Sequence, residues 1–519
     1  FDNQKHNLVG GVFWEKKGSV RNYTDENFRA LRGPEIHQNK EWRKKADSIP
    51  DGGVMLALQV SSDETVGLGG VRYPIRISCA NCVLASRLGD AGSCLAGLLP
   101  VMVIRKSRGS KFSEGLERSQ NRSKRTLQAA GPAHALVDLD FLAKSPVDFR
   151  VWKSDGTGGR IPEKISVHLR LVMYLSDKKE EQAVLALGSE VCPRCIARPV
   201  AIDREISEGR ASYSERRTFM RTDSGAWCHD AARRTVPWVV KQQARLAGVA
   251  RQQGVTAADE QGKIVGVKWE VEVMLHRLTN LMPLPDGPYS AFATDNLHVF
   301  GSGVAAKILI MTDAFVVKFH GEDKKLAFKT KEDARNRIDE FISQIPCFPG
   351  LERFETGWWD SADVGAVSSS QSVAFLIQIR FTLVGDELLI PNTADRIRLL
   401  SLLTLLVDLN RQLMAPQYHL DDEIADVVVR LKLVSSESHW LHDALGEACP
   451  GDGLNISKLH DFLNSARMLN DFGCLLNGCT GAFERRMKSL KQNDQPFPFF
   501  PQQPTGSIQS TPVFIDFSS

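Results

Sequence analysis

The chain has 519 residues, 42% hydrophobic and 24% charged, with 65 lysines and arginines against 62 aspartates and glutamates, for a formal net charge of +3. That length allows roughly two to four domains with real cores, and the near-balance of charge excludes a chain that is basic overall, so a nucleic-acid surface has to come from local clustering. Ten cysteines spread over so long a chain, some of them singletons in apolar surroundings such as Cys347 and Cys474, do not make a disulfide framework, which points to a reducing, intracellular compartment.

The sequence opens on Phe1 without a charged-then-apolar leader, so no signal peptide is expected. Residues 1–53, polar and irregular with Trp14 and Trp42 as isolated anchors, read as a fragment of a longer N-terminal region. From Val54 short apolar runs alternate with glycine-rich turns: Val54–Val60, Tyr73–Cys79 and Leu95–Ile104, with Gly67, Gly69 and Gly70 in the first turn. This pattern predicts a three-stranded antiparallel meander. The following stretch, Arg105–Arg125, holds Lys106, Arg108, Lys111, Arg118, Arg122, Lys124 and Arg125 against Glu114 and Glu117. Such a run is either the solvated face of a helix or a set of DNA phosphate contacts.

Residues 136–190 mix strand-like and helical runs around a flexible loop at 154–159, and Cys192 and Cys195 open a polar, arginine-rich region reaching to about 265. A short apolar strand from Ala291 runs into Asp295, and beyond it helix dominates: Ile338, Phe341, Ile342 and Ile345 recur at helical spacing, and Ile397–Leu413 is a leucine-rich helix. The most apolar run, Ile397–Leu409, is too short for the ~30 Å of a bilayer core, so no membrane span is expected. The tail after Gln495, with Pro496, Pro498, Pro501 and Pro504, reads as extended or disordered.

Three carboxylates stand out. Asp63 ends the first apolar run, where it is either a rigidly held ligand for a divalent metal or a turn aspartate before Gly67. Asp295 follows a later strand and is either a second ligand or a helix N-cap. Glu484 lies on a late segment, Phe483–Lys488, that is otherwise a solvated helix face. Taken in order, a meander with Asp at the end of its first strand, a later strand ending in Asp and a late helix carrying Glu is the layout of ribonuclease-H-like nucleases. There, three carboxylates hold two hard cations about 3.5–4 Å apart to cut or join phosphodiesters.

Several short motifs sharpen this. Ser62-Asp63-Glu64-Thr65, Tyr73-Pro74-Ile75-Arg76-Ile77-Ser78 with Asn81, and Gly97-Leu98-Leu99-Pro100-Val101 resemble the first-carboxylate region of the Plavaka/KDZ group of eukaryotic transposases. Cys192-Pro193-Arg194-Cys195 resembles the group's CPxC knuckle, and Thr294-Asp295-Asn296-Leu297-His298 with Gly303 its second-aspartate motif. Ile345–Phe354 and the later Lys458-Leu459-His460, Phe472-Gly473 and Glu484 follow in the group's order, so the resemblance spans roughly residues 42–491. It departs at Met487 and Phe219, where the group carries histidines.

The resemblance implies an α/β fold: a ribonuclease-H-like core built from 54–130 and 285–320 and closed by a helix at 475–492. A Cys-bearing insertion (131–284) and a helical insertion (321–474) interrupt it, each a subdomain, with a disordered tail at 493–519. It implies a DDE transposase whose catalytic residues Asp63, Asp295 and Glu484 bind Mg²⁺ or Mn²⁺, acting in the nucleus on DNA at transposon ends and targets. The alternative is a decayed or domesticated DNA-binding protein that keeps the fold without catalysis. Cys192 and Cys195 suit half of a tetrahedral Zn²⁺ site, with Cys228 and His229 as the nearby candidates to complete it, or else form a metal-free turn. Cys79 and Cys82 read as buried thiols, and His298 and His460 either orient neighbouring groups or are satisfied by the backbone. No phosphate-binding P-loop, dinucleotide fingerprint or GxSxG elbow is present, so no nucleotide cofactor is expected; monomer and homo-oligomer stay open.

Overall fold

The computed structural model describes residues 8–9, 12–13, 31–32, 34–62, 65–67, 70–82, 94–99, 114–154, 159–188, 191–196, 233–322, 330–346, 354, 359, 368–450 and 457–480. Within them the architecture is mixed α/β, with a six-stranded mixed sheet and a large helical block.

The predicted meander is present as β1 (Val54–Ser62), β3 (Gly70–Cys79) and β4 (Cys94–Leu99), with a short β2 (Thr65–Gly67) hairpinned onto β3. Helix α2 (Glu114–Ala143) then leads to a hairpin of β5 (Val147–Ser154) and the 16-residue β6 (Arg160–Leu175). The second half of β6 lies parallel to β1, from Val54↔Val167 to Ser61↔Leu175, with a bulge between Leu58 and Gln59. On its other edge, beyond the reach of β5, the segment around Phe292 takes up the ladder in parallel: Tyr174 N donates to Ala291 O (2.7 Å) and Ala293 N to Tyr174 O (3.2 Å). The strand expected to run into Asp295 is thus a single bridge.

Both faces of the sheet are covered, which explains why Leu171–Leu175 is apolar throughout rather than alternating. Leu58, Val60, Leu169, Leu171 and Tyr174 pack with Ala129, Ala133 and Leu136 of α2 and with α4 (Val236–Gln253), after the short α3 (Lys178–Val184); α5 (Val255–Val265) follows. Met55, Ala57, Met173 and Leu175 face the helical block. Asn81 completes the edge of β1 where β3 leaves it: its Oδ1 accepts from Ala57 N (2.7 Å) and its Nδ2 donates to Met55 O (2.9 Å).

The helical block comprises a π-helical α6 (Leu297–Ala305) continuing into α7 (Ala306–Glu322), then α8 (Lys331–Gln344), α9 (Ser369–Gly385), α10 (Thr393–Met414), α11 (Asp421–Leu445), α12 (Ser457–Leu463) and α13 (Ser465–Phe472). Side-chain caps from Thr330, Ser368 and Asn392 start α8, α9 and α10. Leu297–His320, the helix expected after Asp295, is long and apolar enough by composition to cross a membrane. Its most apolar stretch is 72% buried inside the protein, where it forms the centre of the block. One continuous buried cluster joins this block to the sheet, so the two share a core.

The N-terminal segment expected to be irregular carries a helix, α1 (Lys40–Ala46), and its Trp42 is buried in that same cluster. The arginine-rich stretch after residue 232 is largely the helical pair α4 and α5. Cys79 and Cys82 are only partly buried, because they lie where β3 ends. Cys347, the tail after 480 and the loop residues 155–158 lie outside the described residues.

Candidate functional site: a buried Cys–His centre beside a cavity of mixed charge

Two groups of polar side chains meet at the C-terminal end of β6. The first is built on the Cys192–Cys195 turn. Both thiols are fully buried, and His460 of α12, 265 residues further along, brings its Nε2 to 3.4 Å from Cys195 Sγ. The three ligand atoms lie within 4.8 Å of one another, a group that could bind a metal such as zinc. The turn is held locally: Arg194 N donates to Cys192 Sγ (3.4 Å), Arg234 N to Arg194 O (2.9 Å) and Arg234 Nε to Cys192 O (2.9 Å). Burial disfavours a charge on His460, but the neighbouring Cys192 and Cys195 outweigh it and push its pKa up to about 10. In a metal site the ion's positive charge would take over the imidazolium's role beside the thiolates.

The second group lines a cavity of about 200 Å³ whose walls include Asp177, Asp295, His298, Lys458, Asp461 and Arg194. Asp295 is almost fully buried. Its Oδ1 accepts from Leu297 N (3.1 Å) and Thr480 N (3.2 Å), and its Oδ2 from Thr480 Oγ1 (2.6 Å) and His298 Nδ1 (2.5 Å). Asp177 follows β6 directly and caps α3, accepting from Glu180 N (2.7 Å). Lys178 Nζ donates to Asp461 Oδ2 (2.5 Å), and burial lowers the pKa of Lys458 although Asp177 and Asp295 act to raise it. Arg194 spans the two groups, donating to Phe292 O (3.0 Å) and Glu181 Oε1 (2.6 Å) and lying 3.5 Å from Asp461. Glu181 nevertheless has its pKa raised, since burial outweighs Arg194.

Gly303 has a packing reason. A Cβ there would come within 2.6 Å of the Lys458 side chain and 3.0 Å of His298 O, so only glycine lets α12 lie this close to α6. Larger in volume, at about 460 Å³, is a groove between α10 and α11 lined by Ile397, Leu433 and Arg430; it shares no residue with the carboxylate cavity.

Of the residues singled out from the sequence, Cys192, Cys195, Asp295, His298 and His460 fall in this region. Asp63, Glu484, Cys228, His229, Lys106, Arg108 and Lys111 lie outside the described residues. Arg118, Arg122, Lys124 and Arg125 lie on α2, with Arg122 and Arg125 exposed and Lys124 partly so. His460 as a partner of the cysteines, and Asp177, Asp461 and Arg194 as cavity groups, were not foreseen. Asp177 did carry a signal: in the sequence Leu175-Ser176 is followed by Asp177 much as Ser61-Ser62 is followed by Asp63, and Ser61 pairs with Leu175. Comparison with protein-family models and with curated proteins found no match to this chain.

Proposed function

We propose that the chain is a transposon-derived DDE enzyme with a ribonuclease-H-like core, cutting and joining DNA strands with Mg²⁺ or Mn²⁺ held by Asp63, Asp295 and Glu484. The observation that carries this reading is the meeting of chain segments that flank all three. Thr480 is bonded to Asp295 across 185 residues, and Gln59 Nε2 donates to Asn477 O (3.2 Å) across 418. Ser62 Oγ is 2.8 Å from the hydroxyl of Tyr174, whose backbone pairs with Ala291 and Ala293. Asp63 is one peptide bond beyond Ser62, and Glu484 is four residues beyond Thr480, within about 14 Å of extended chain. The sheet order β4–β3–β1–β6 supports the same reading, with α2 crossing over to a parallel β6.

Paired cations there would activate a water or 3′-hydroxyl and neutralise the leaving oxygen. Around them, His298 orients Asp295 through Nδ1, and Lys458 supplies a cation at the cavity wall. The exposed Arg122 and Arg125 of α2 would hold DNA phosphates, and the protein would act in the nucleus.

One observation favours a second reading, a DNA-binding protein without catalysis: both oxygens of Asp295 are already engaged by four donors, so a cation has to compete for them. A nicking assay on supercoiled DNA with Mg²⁺ or Mn²⁺ separates the two. Wild type should cut, and Asp295→Asn should cut at least about 100-fold more slowly, the scale of losing one preorganised electrostatic contact to a transition state, with DNA binding retained. Folded, DNA-bound wild type that never cuts with any divalent cation would establish the second reading instead.

A further inference from the structure

We propose that Cys192, Cys195 and His460 bind a zinc ion whose task is structural: it fastens α12 of the helical block to the turn beside the sheet, and so fixes Arg194 and Asp461 in the cavity wall. The inference stands whether or not the cavity is catalytic.

The donor set selects the metal. Two thiolates and an imidazole are soft and borderline ligands that suit Zn²⁺, whereas Mg²⁺ and Mn²⁺ prefer oxygen. The geometry fits, because Zn–S near 2.3 Å and Zn–N near 2.0–2.1 Å in a tetrahedron put sulfur and nitrogen about 3.5 Å apart, and Cys195 Sγ and His460 Nε2 are 3.4 Å apart. All three are buried, and together they supply three of the four positions of a tetrahedral site. The amide N–H of Arg194 on Cys192 Sγ is the kind of outer contact that orients a thiolate ligand.

The coupling to the cavity is covalent on both sides. Arg194 lies between the two cysteines and reaches Phe292 O, Glu181 and Asp461, while Asp461 directly follows His460 and receives Lys178. An ion holding residues 192, 195 and 460 therefore sets the distance between this guanidinium and this carboxylate. Without it, a contact closing 265 residues of chain rests on the ion pairs of Asp461 with Lys178 and Arg194 and on neighbouring packing.

The full chain, purified without chelator, should contain one zinc per molecule by elemental analysis, and Co²⁺ exchanged into it should give the visible absorption of a tetrahedral thiolate site. Stripping the ion should lower the melting temperature. Cys195→Ser should weaken zinc retention by more than the roughly 10–100-fold that a change outside the ligand shell produces. Because His460→Ala also empties a buried position, the decisive variant is His460→Cys, which supplies another zinc ligand and should keep the ion and the melting temperature. Zinc-free protein with an unchanged melting temperature, or His460→Cys losing zinc while Cys195→Ser keeps it, would overturn the proposal. None of these readouts requires DNA cleavage, so failure here and failure of the nuclease reading are distinct results.

Discussion

Replacing Arg233 by methionine is expected to lower the unfolding free energy by about 3–5 kcal/mol, the cost of leaving buried charges without their partner. Arg233 donates to Glu41 Oε1 (2.8 Å) on α1 and to Asp471 on α13, and both carboxylates are almost completely buried. Burial opposes the charge on Arg233, but Asp471 and Glu41 outweigh it and raise its pKa; on Asp471, by contrast, burial wins and raises the pKa despite Arg233. The pH dependence follows in sign. A carboxyl whose folded pKa is raised binds its proton more tightly folded than unfolded, so its cost to stability shrinks as pH falls through the folded value towards the ordinary 3.8. Removing Arg233 raises that folded value further. Denaturant titrations should therefore show the deficit of Arg233→Met at its largest near neutrality and smaller in acid. A variant as stable as wild type at pH 7 would mean that α1 is held by Trp42 packing and the contacts of Lys44 with Asp286 and Lys45 with Ser290, without this ion pair.

Asp140→Ala should cost about 3 kcal/mol. The carboxylate of Asp140 on α2 accepts from Asn280 N (3.0 Å), Leu281 N (2.9 Å) and Asn280 Nδ2 (3.0 Å), and Leu281 O in turn accepts from Leu171 N of β6 (3.0 Å). Alanine leaves two backbone donors unpaired in a buried setting, at about 1–3 kcal/mol each where no water reaches them. Asp140→Asn keeps an acceptor for both amides and should recover about half of the loss. Urea unfolding of the pair measures this; equal losses in the two variants would show that the charge of Asp140, rather than its acceptor geometry, supports the loop.

How far the sequence led depends on the range of the interaction in question. Strands β1, β3 and β4 were legible because short apolar runs are separated by glycine-rich turns, and α10 because leucines at helical spacing report one buried stripe. β6 was not recognised as an interior strand of the sheet: with both faces covered, its run from Leu171 to Leu175 loses the period-two signal. The helix expected after Asp295 is present, but the apolar length of Leu297–His320 was missed in favour of Ile397–Leu409, as an interior helix has no polar face to mark it. At the site, the CPxC spacing pointed to a metal, but the search for further ligands stayed with the nearest candidates, Cys228 and His229. His460 closes the group from 265 residues away, and local spacing carries no trace of such a contact. Asp295 was legible as both a cap and a candidate ligand, and its bond to Leu297 N expresses the first of these.

The shared-metal site of Asp63, Asp295 and Glu484 is tested most directly by anomalous diffraction at the manganese edge, from crystals of the protein grown with Mn²⁺ and a DNA end. The account predicts two peaks about 3.5–4 Å apart, bridged by carboxylate oxygens that include Asp295 and are completed by Asp63 and Glu484. A map with no peak at Asp295, its carboxylate still held by His298 and Thr480 as here, would contradict it and leave Asp295 a buried structural carboxylate.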